Sequence, residues 1–123
     1  MKSLLFPLLF ASAAIAVSAA DSPSLTGTWN IHNNIAGNES DMACNFTQKD
    51  KDLTGTCKGE QGSVNINGKI EDKKVSWVYK SEYNGGPITL TYGGNLDSGD
   101  KISGTVRVEE YGVEGEFTAN ASK

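Results

Sequence analysis

"LTGTC", at residues 53–57, places a glycine inside a stretch that otherwise alternates like a β-strand. Glycine weakens the interior of a strand because it has no side chain to pack. The same arrangement, a glycine between larger residues, recurs along the chain as "LTGTW" at 25–29, "INGKI" at 66–70, "ISGTV" at 102–106 and "VEGEF" at 113–117. The recurrence indicates one structural need that several strands share.

Alternation of apolar and polar residues runs through most of the chain, and turn residues interrupt it about every 8 to 12 positions, which is typical of an all-β fold. The pattern predicts eight strands, at roughly 25–33, 41–49, 52–59, 62–71, 74–83, 86–96, 101–110 and 113–121. Most connections are short, so consecutive strands should pair in antiparallel fashion. Only the connection around "NIAGNES" is expected to be longer.

Each predicted strand has one apolar and one polar face. Eight such strands can bury the apolar face by closing into a single up-and-down barrel. A barrel that spans an outer membrane would show the reverse, with an apolar outer face. We therefore expect a single all-β domain, residues 21–123, whose barrel faces water.

The turn positions also predict which residues face each other across neighbouring strands. A turn at Asp50-Lys51 places Cys44 opposite Cys57, within disulfide distance. In an exported chain two cysteines are expected to pair, so we predict one disulfide. Turns at 72–73 and 84–85 pair Gly68 with Trp77, and Trp77 with Tyr92.

The last predicted hairpin turns at Tyr111-Gly112. This turn pairs Val106 with Phe117 on the inner face. On the outer face it pairs Arg107 with Glu116, as a weak cross-strand ion pair, and Glu109 with Glu114, as a like-charge pair.

The glycines inside the strands fall on the inward face and allow two interpretations. Inward glycines permit the sharp coiling that closes a small barrel, with large side chains covering them from the next strand. Alternatively, their missing side chains leave room for a guest, because an eight-stranded barrel is either filled or holds one small ligand. We favour a mostly filled interior with a cavity toward one mouth.

Residues 1–20, "MKSLLFPLLFASAAIAVSAA", have a positive start, an apolar stretch and small residues before the end. This pattern predicts a secretory signal peptide cleaved near Ala20, and therefore a secreted or periplasmic protein. No later apolar run is long enough to span a bilayer. The net charge of −4 also argues against binding to nucleic acid or to an anionic membrane.

A family resemblance enters with the first strand, "LTGTWNI", whose Gly27-Thr28-Trp29 resembles the Gly-x-Trp signature of the calycin superfamily, which includes lipocalins and avidins. The later "LTGTC" and "VSWVYK" resemble the strand rhythm of the avidins. The resemblance implies an eight-stranded barrel with a ligand mouth at one end. Asn30 stands where avidins have a biotin-contacting asparagine, but Cys57 replaces a ligand-binding tyrosine. No tryptophan follows Trp77, so we do not expect biotin binding.

The sequence also resembles small secreted inhibitors of metalloproteases, which share a Gly-x-Trp near the start and use their N-terminal segment on the protease. Only residues 21–24 precede the barrel here, which is short for that role. An inhibitor or other protein-binding barrel is therefore the second hypothesis. A barrel isomerase or cyclase that acts by enclosing its substrate is the third, because enclosure leaves no sequence motif.

Broad aromatic side chains with a polar tip are the best candidates to contact a ligand. Aromatic residues on the inner face of a small barrel can equally form its core. The candidates for ligand binding are Trp29, Trp77, Tyr79, Tyr92 and Phe117.

The sequence offers little for catalysis or metal binding. His32, the single histidine, should point outward into solvent, and no carboxylate pair has inward parity at a strand centre. Gln48 and Glu110 have inward parity but lie at strand ends, where a mouth could use them. We expect no metal and no cofactor. We expect a protein that binds a small apolar or aromatic ligand non-covalently inside the barrel, with oligomeric state left open.

Overall fold

A computed structural model describes residues 24–60 and 62–122. The eight strands form one closed antiparallel barrel in chain order, with the last strand pairing with the first. This confirms the predicted fold class. The strands are β1 (Gly27–Ile35), β2 (Asn38–Lys49), β3 (Asp52–Gly59), β4 (Gly62–Glu71), β5 (Lys74–Tyr83), β6 (Gly86–Ser98), β7 (Lys101–Val108) and β8 (Val113–Ala121). The predicted signal peptide, 1–20, lies outside the described residues.

The predicted disulfide is present between Cys44 on β2 and Cys57 on β3, which are directly opposed. Both cysteines are fully buried. The bond joins residues 13 positions apart, and closing a loop of that size stabilises a fold by about 3 kcal/mol in the chain-entropy model. The disulfide therefore locks the β2–β3 hairpin from inside the barrel.

Two predicted details of the hairpins are wrong. The first connection is a tight two-residue turn, because Ala36 and Gly37 both adopt positive φ, at 53° and 84°. The pairing of β7 with β8 is shifted by two residues, so Val106 faces Gly115 and Arg107 faces Glu114. The predicted pairs Val106–Phe117, Arg107–Glu116 and Glu109–Glu114 do not form.

Gly55, Gly68, Gly94, Gly104 and Gly115, which are five of the inward glycines, lie where neighbouring backbones come unusually close. A β-carbon added to Gly68 would collide with the carbonyl oxygen of Ser76 and lie only 2.7 Å from the Trp77 Cα. At Gly55 the added atom would collide with the carbonyl oxygen of Asn45. Such close approach needs glycine because any other residue brings a β-carbon. These glycines therefore let the strands coil, as the first interpretation predicted, and do not hold space for a guest.

The interior is a continuous hydrophobic core of buried side chains from all eight strands. Five partly buried apolar residues pack on the core: Ala121 lies where β8 ends, and the other four are Ile35, Met42, Val64 and Val113. All four belong to the same end of the barrel, where β1 and β3 finish and β2, β4 and β8 begin. The barrel thus has two unlike ends. Among the described residues, no helix is long and apolar enough to cross a membrane.

Candidate functional site

One end of the barrel is closed by the segment that precedes β1. Leu25 is fully buried there, and its carbonyl accepts a hydrogen bond from Trp29 Nε1 at 2.9 Å. Gln48 Oε1 accepts the Leu25 backbone N–H at 2.8 Å, while Gln48 Nε2 donates to the Asp50 carbonyl at 3.0 Å. We call residues 24–26 the plug, and the end of the barrel that they cover the closed end. The hydrogen bonds of Gln48 hold the plug in place there.

Aromatic rings fill the space above the plug. Trp29 packs on Phe46 with ring centroids 6.2 Å apart, and Phe46 packs on Trp77 at 5.2 Å. Trp77 stacks on Tyr92 at 4.9 Å with only 12° between the ring planes, and both rings make T-shaped contacts with Phe117. This aromatic column occupies the barrel centre, so a ligand cannot pass through it without displacing core side chains.

The opposite end is open. Here the connections β1–β2, β3–β4, β5–β6 and β7–β8 surround two adjoining cavities of about 190 Å³ and 450 Å³. Both cavities share Ser40, Tyr83, Ile88 and Leu90 in their walls. The rest of the larger cavity's wall is mostly apolar, whereas the smaller cavity is also lined by Asn33, Asp41, Glu60, Ser81 and Glu82. We call this end the mouth. The larger cavity falls within the size range of ordinary small-molecule sites.

A polar cluster lies at the base of the mouth. Asn33 on β1 is only 3% exposed, and its Oδ1 accepts the Tyr92 hydroxyl at 2.9 Å. The Asn33 amide Nδ2 faces Ser40 Oγ at a long 3.4 Å, and the Tyr79 hydroxyl lies 3.9 Å from the Met42 sulfur. A buried amide whose donor side is held only by one long contact can still hydrogen-bond a ligand.

Burial fixes the protonation of the two tyrosines in this cluster. The pKa of Tyr92 is raised strongly, first by burial and then by the neighbouring Tyr79. Burial also raises the pKa of Tyr79. Both phenols therefore stay neutral across physiological pH and can donate as well as accept hydrogen bonds.

Two exposed tyrosines form the rim of the mouth. Tyr83 at the end of β5 and Tyr111 in the β7–β8 connection are 50% and 54% exposed. Their ring centroids are 6.0 Å apart and their planes meet at 75°. They are the only large apolar side chains exposed among the described residues, so apolar exposure is concentrated at this one place.

Glu110 holds the loop that carries Tyr111. Its carboxylate accepts the Thr89 backbone N–H at 2.6 Å and the Thr89 hydroxyl at 2.8 Å. The Glu109 N–H donates to the Thr89 carbonyl at 3.0 Å. Glu110 was predicted to face inward at a strand end, where a mouth could use it. It is instead exposed and bonds along the outside of β6, because β7 ends at Val108.

Replacing Glu110 with alanine should loosen this loop. The hydrogen bond from Thr89 N–H lowers the Glu110 pKa from 4.5, so its contribution is present above pH 4.5 and is lost as pH falls through the lowered folded value. We expect severalfold faster amide exchange of Thr89 in Glu110→Ala at neutral pH. The matched control Glu114→Ala should leave that exchange unchanged, and equal exchange in both variants would contradict the role of Glu110.

His32 lies on the outer surface, as predicted, but it is not merely solvated. Its Nδ1 is 2.6 Å from Asp41 Oδ1 and its Nε2 is 2.8 Å from Glu39 Oε1, both on β2. Hydrogen bonds to Asp41 and then to Glu39 raise the His32 pKa above 6.5. Both ring nitrogens donate when the ring is charged, which makes this an imidazolium bridge between two carboxylates.

The His32 pKa can be read directly because the chain has one histidine. An NMR titration should give a value above 6.5. Asp41→Asn should lower it most, Glu39→Gln less, and the distant Asp52→Asn should not move it. Since the folded pKa is raised, the stabilisation is complete below pH 6.5 and disappears as pH rises through the folded value. A titration at or below 6.5 would refute the bridge.

No cluster of three or more His, Cys, Asp or Glu side chains that could hold a metal occurs in residues 24–60 and 62–122. His32, Glu39 and Asp41 therefore form two ion pairs on the outer surface. The candidate site of this protein is the mouth.

The structure separates the predicted ligand-binding residues by depth. Trp29, Trp77, Tyr92 and Phe117 lie in the aromatic column and are almost fully buried, whereas Tyr79 lines the smaller cavity. The Tyr92 hydroxyl reaches the base of the mouth through Asn33.

Sequence reasoning missed Asn33, Tyr83 and Tyr111 as site residues. The signal for Asn33 was present, because it continues the inward alternation of Trp29 and Ile31.

Comparison with known proteins supports the architecture. A redesigned β-barrel, mFAP1, in a structure bound to DFHBI, is similar to this chain with a TM-score of 0.59 and 16% sequence identity. The match covers 78% of this chain and 94% of mFAP1. No family model matches the sequence, and no curated protein matches it. The likeness therefore establishes a shared barrel fold.

Proposed function

We propose that this protein binds a small apolar or aromatic molecule non-covalently at the mouth of the barrel. The observation that carries the proposal is that the larger, mostly apolar cavity adjoins a smaller one whose wall includes Asn33 and Tyr79 of the buried polar cluster. Apolar burial would supply the affinity, and the amide and phenol groups would orient the ligand.

The aromatic column argues for a site at the mouth. A filled centre leaves the polar cluster as the floor of the site, so the ligand would lie between Tyr79 below and the rim tyrosines above. That mFAP1 is found with DFHBI bound indicates that a barrel of this fold class can hold a small molecule. The proposed setting is secreted or periplasmic, and membership of the calycin superfamily is proposed with it.

Direct binding tests this proposal. Native mass spectra of protein purified from a bacterial periplasm, beside denatured spectra of the same sample, would reveal a retained small molecule. N-phenyl-1-naphthylamine, a neutral fluorophore that brightens in apolar surroundings, provides a titratable probe. We expect saturable binding with one site per barrel.

The double variant Tyr83→Ala/Tyr111→Ala should weaken that binding, because it removes the rim without touching the core. Thr47→Ala, on the outer face of β2, is the control and should bind like the unmodified protein. A bare barrel that takes up no probe would overturn the proposal and point instead to a protein partner.

A further inference from the structure

We infer that the mouth selects organic cations, namely aromatic or alkyl ammonium compounds, over neutral or anionic molecules of the same shape. This inference rests on the proposed function and adds the charge class of its ligand. It draws on the charges that line the two cavities and on the arrangement of the rim tyrosines.

Every charged side chain among the described residues that line the two cavities is acidic. Glu60 and Glu82 line the smaller cavity, and neither cavity has a lysine or arginine among the described residues of its wall. Asp41 also lines the smaller cavity, but its carboxylate is bound to His32. Neither Glu60 nor Glu82 forms an ion pair with another described residue. Inside these cavities an anion would face carboxylates and no lining lysine or arginine, whereas a cation would be attracted.

The rim tyrosines offer the second element of cation recognition. An ammonium group is attracted to the face of an aromatic ring within about 6 Å of its centroid. Tyr83 and Tyr111 meet in a T-shaped contact, with 75° between their planes and 6.0 Å between their centroids, so the two half-exposed rings form a corner at the rim. Both rings line the larger cavity. A cation held in this corner could extend an apolar body toward Ile88 and Leu90.

The floor of the mouth is compatible with this orientation. Asn33 and the neutral Tyr79 phenol, which line the smaller cavity, lack the positive charge with which a lysine or arginine would pair with an anion. They can bond an uncharged polar group at the far end of the ligand. The expected ligand therefore carries its positive charge at the rim and a ring or chain below it.

Three probes of matched shape test the inference: naphthylmethyl-trimethylammonium, its carbon isostere neopentylnaphthalene, and naphthylmethanesulfonate. We expect the cation to bind about tenfold more tightly than the isostere, as one moderate cation–π contact implies, and the sulfonate to bind most weakly. The preference for the cation should shrink as salt is raised, because exposed charges are screened.

Variants distinguish the contribution of the acidic side chains from that of the rim tyrosines. Glu60→Gln/Glu82→Gln should reduce the preference for the cation, and Asp52→Asn/Asp72→Asn, which removes the same charge at the closed end, should preserve it. Tyr83→Leu should lower cation affinity while leaving the isostere bound.

Equal or tighter binding of the isostere or the sulfonate would overturn the inference and leave the proposed function standing. Failure of all three probes together with N-phenyl-1-naphthylamine would overturn both.

Discussion

Gly68→Ala should destabilise the barrel by about 3 kcal/mol or more, a cost at the upper end of overpacking effects. The added β-carbon would meet backbone atoms of Ser76 and Trp77, and backbone cannot move aside as a flexible side chain can. Since β4 and β5 pair directly at this point, relief requires the strands to separate. Chemical denaturation monitored by tryptophan fluorescence measures the change.

The matched control is Gly93→Ala on β6. An added β-carbon there meets nothing within 4 Å, and the backbone does not have the positive φ that disfavours other residues. Gly93→Ala should change stability by no more than about 0.5 kcal/mol, or stabilise slightly through the unfolded state. Similar stabilities for the two variants would show that the inward glycines are not needed for close strand approach.

Trp77→Ala should lower the free energy of unfolding by about 3–5 kcal/mol, as is usual when a large buried aromatic side chain is truncated. Trp77 touches Phe46, Tyr92 and Phe117 and is 2% exposed, so the variant leaves a hole in the aromatic column. Trp77→Phe should cost much less. It keeps a ring and removes the indole N–H, which is buried without a hydrogen-bond partner among the described residues.

The control for this prediction is Tyr83→Ala, which removes an exposed ring and should change stability by about 0.5 kcal/mol or less. Substitutions at Trp77 and Tyr83 should have opposite effects on stability and on probe binding. Trp77→Phe should retain probe binding, whereas Tyr83→Ala should lose affinity at nearly unchanged stability. Loss of binding in Trp77→Phe without loss of stability would instead support Trp77 as a ligand contact.

Much of the fold could be predicted because side-chain parity and turn residues act together. Strands β3, β4, β5 and β8 begin and end at the predicted residues. The pairing of Cys44 with Cys57 and of Gly68 with Trp77 is also as predicted. A slip by one residue would turn each apolar face to solvent, so the pattern allows only one parity.

The errors have physical causes. The β7–β8 pairing is shifted by two residues, which leaves every side chain on its predicted face, so alternation cannot detect the shift. The bonds of Glu109 and Glu110 to Thr89 lengthen that connection, and these contacts come from a strand distant in sequence. The tight turn at Ala36-Gly37 was missed because alanine at positive φ is uncommon.

The site was harder to predict than the fold. Parity shows that a side chain points inward, but it does not show how deep in the barrel that side chain lies. Trp77 and Tyr79 have the same parity on one strand, yet only Tyr79 reaches the mouth. Which end is closed depends on Leu25 folding over the opening, a contact that strand periodicity does not encode.

The most direct test of the account maps where a ligand binds. Amide NMR spectra should be recorded while N-phenyl-1-naphthylamine is titrated into the protein. We predict saturable shifts that concentrate at the mouth, at Ser40, Tyr83, Ile88 and Tyr111, with Leu25 and Gln48 at the closed end unchanged. Shifts centred on the closed end, or a spectrum that does not change at any probe concentration, would contradict the claim that the mouth is a ligand-binding site.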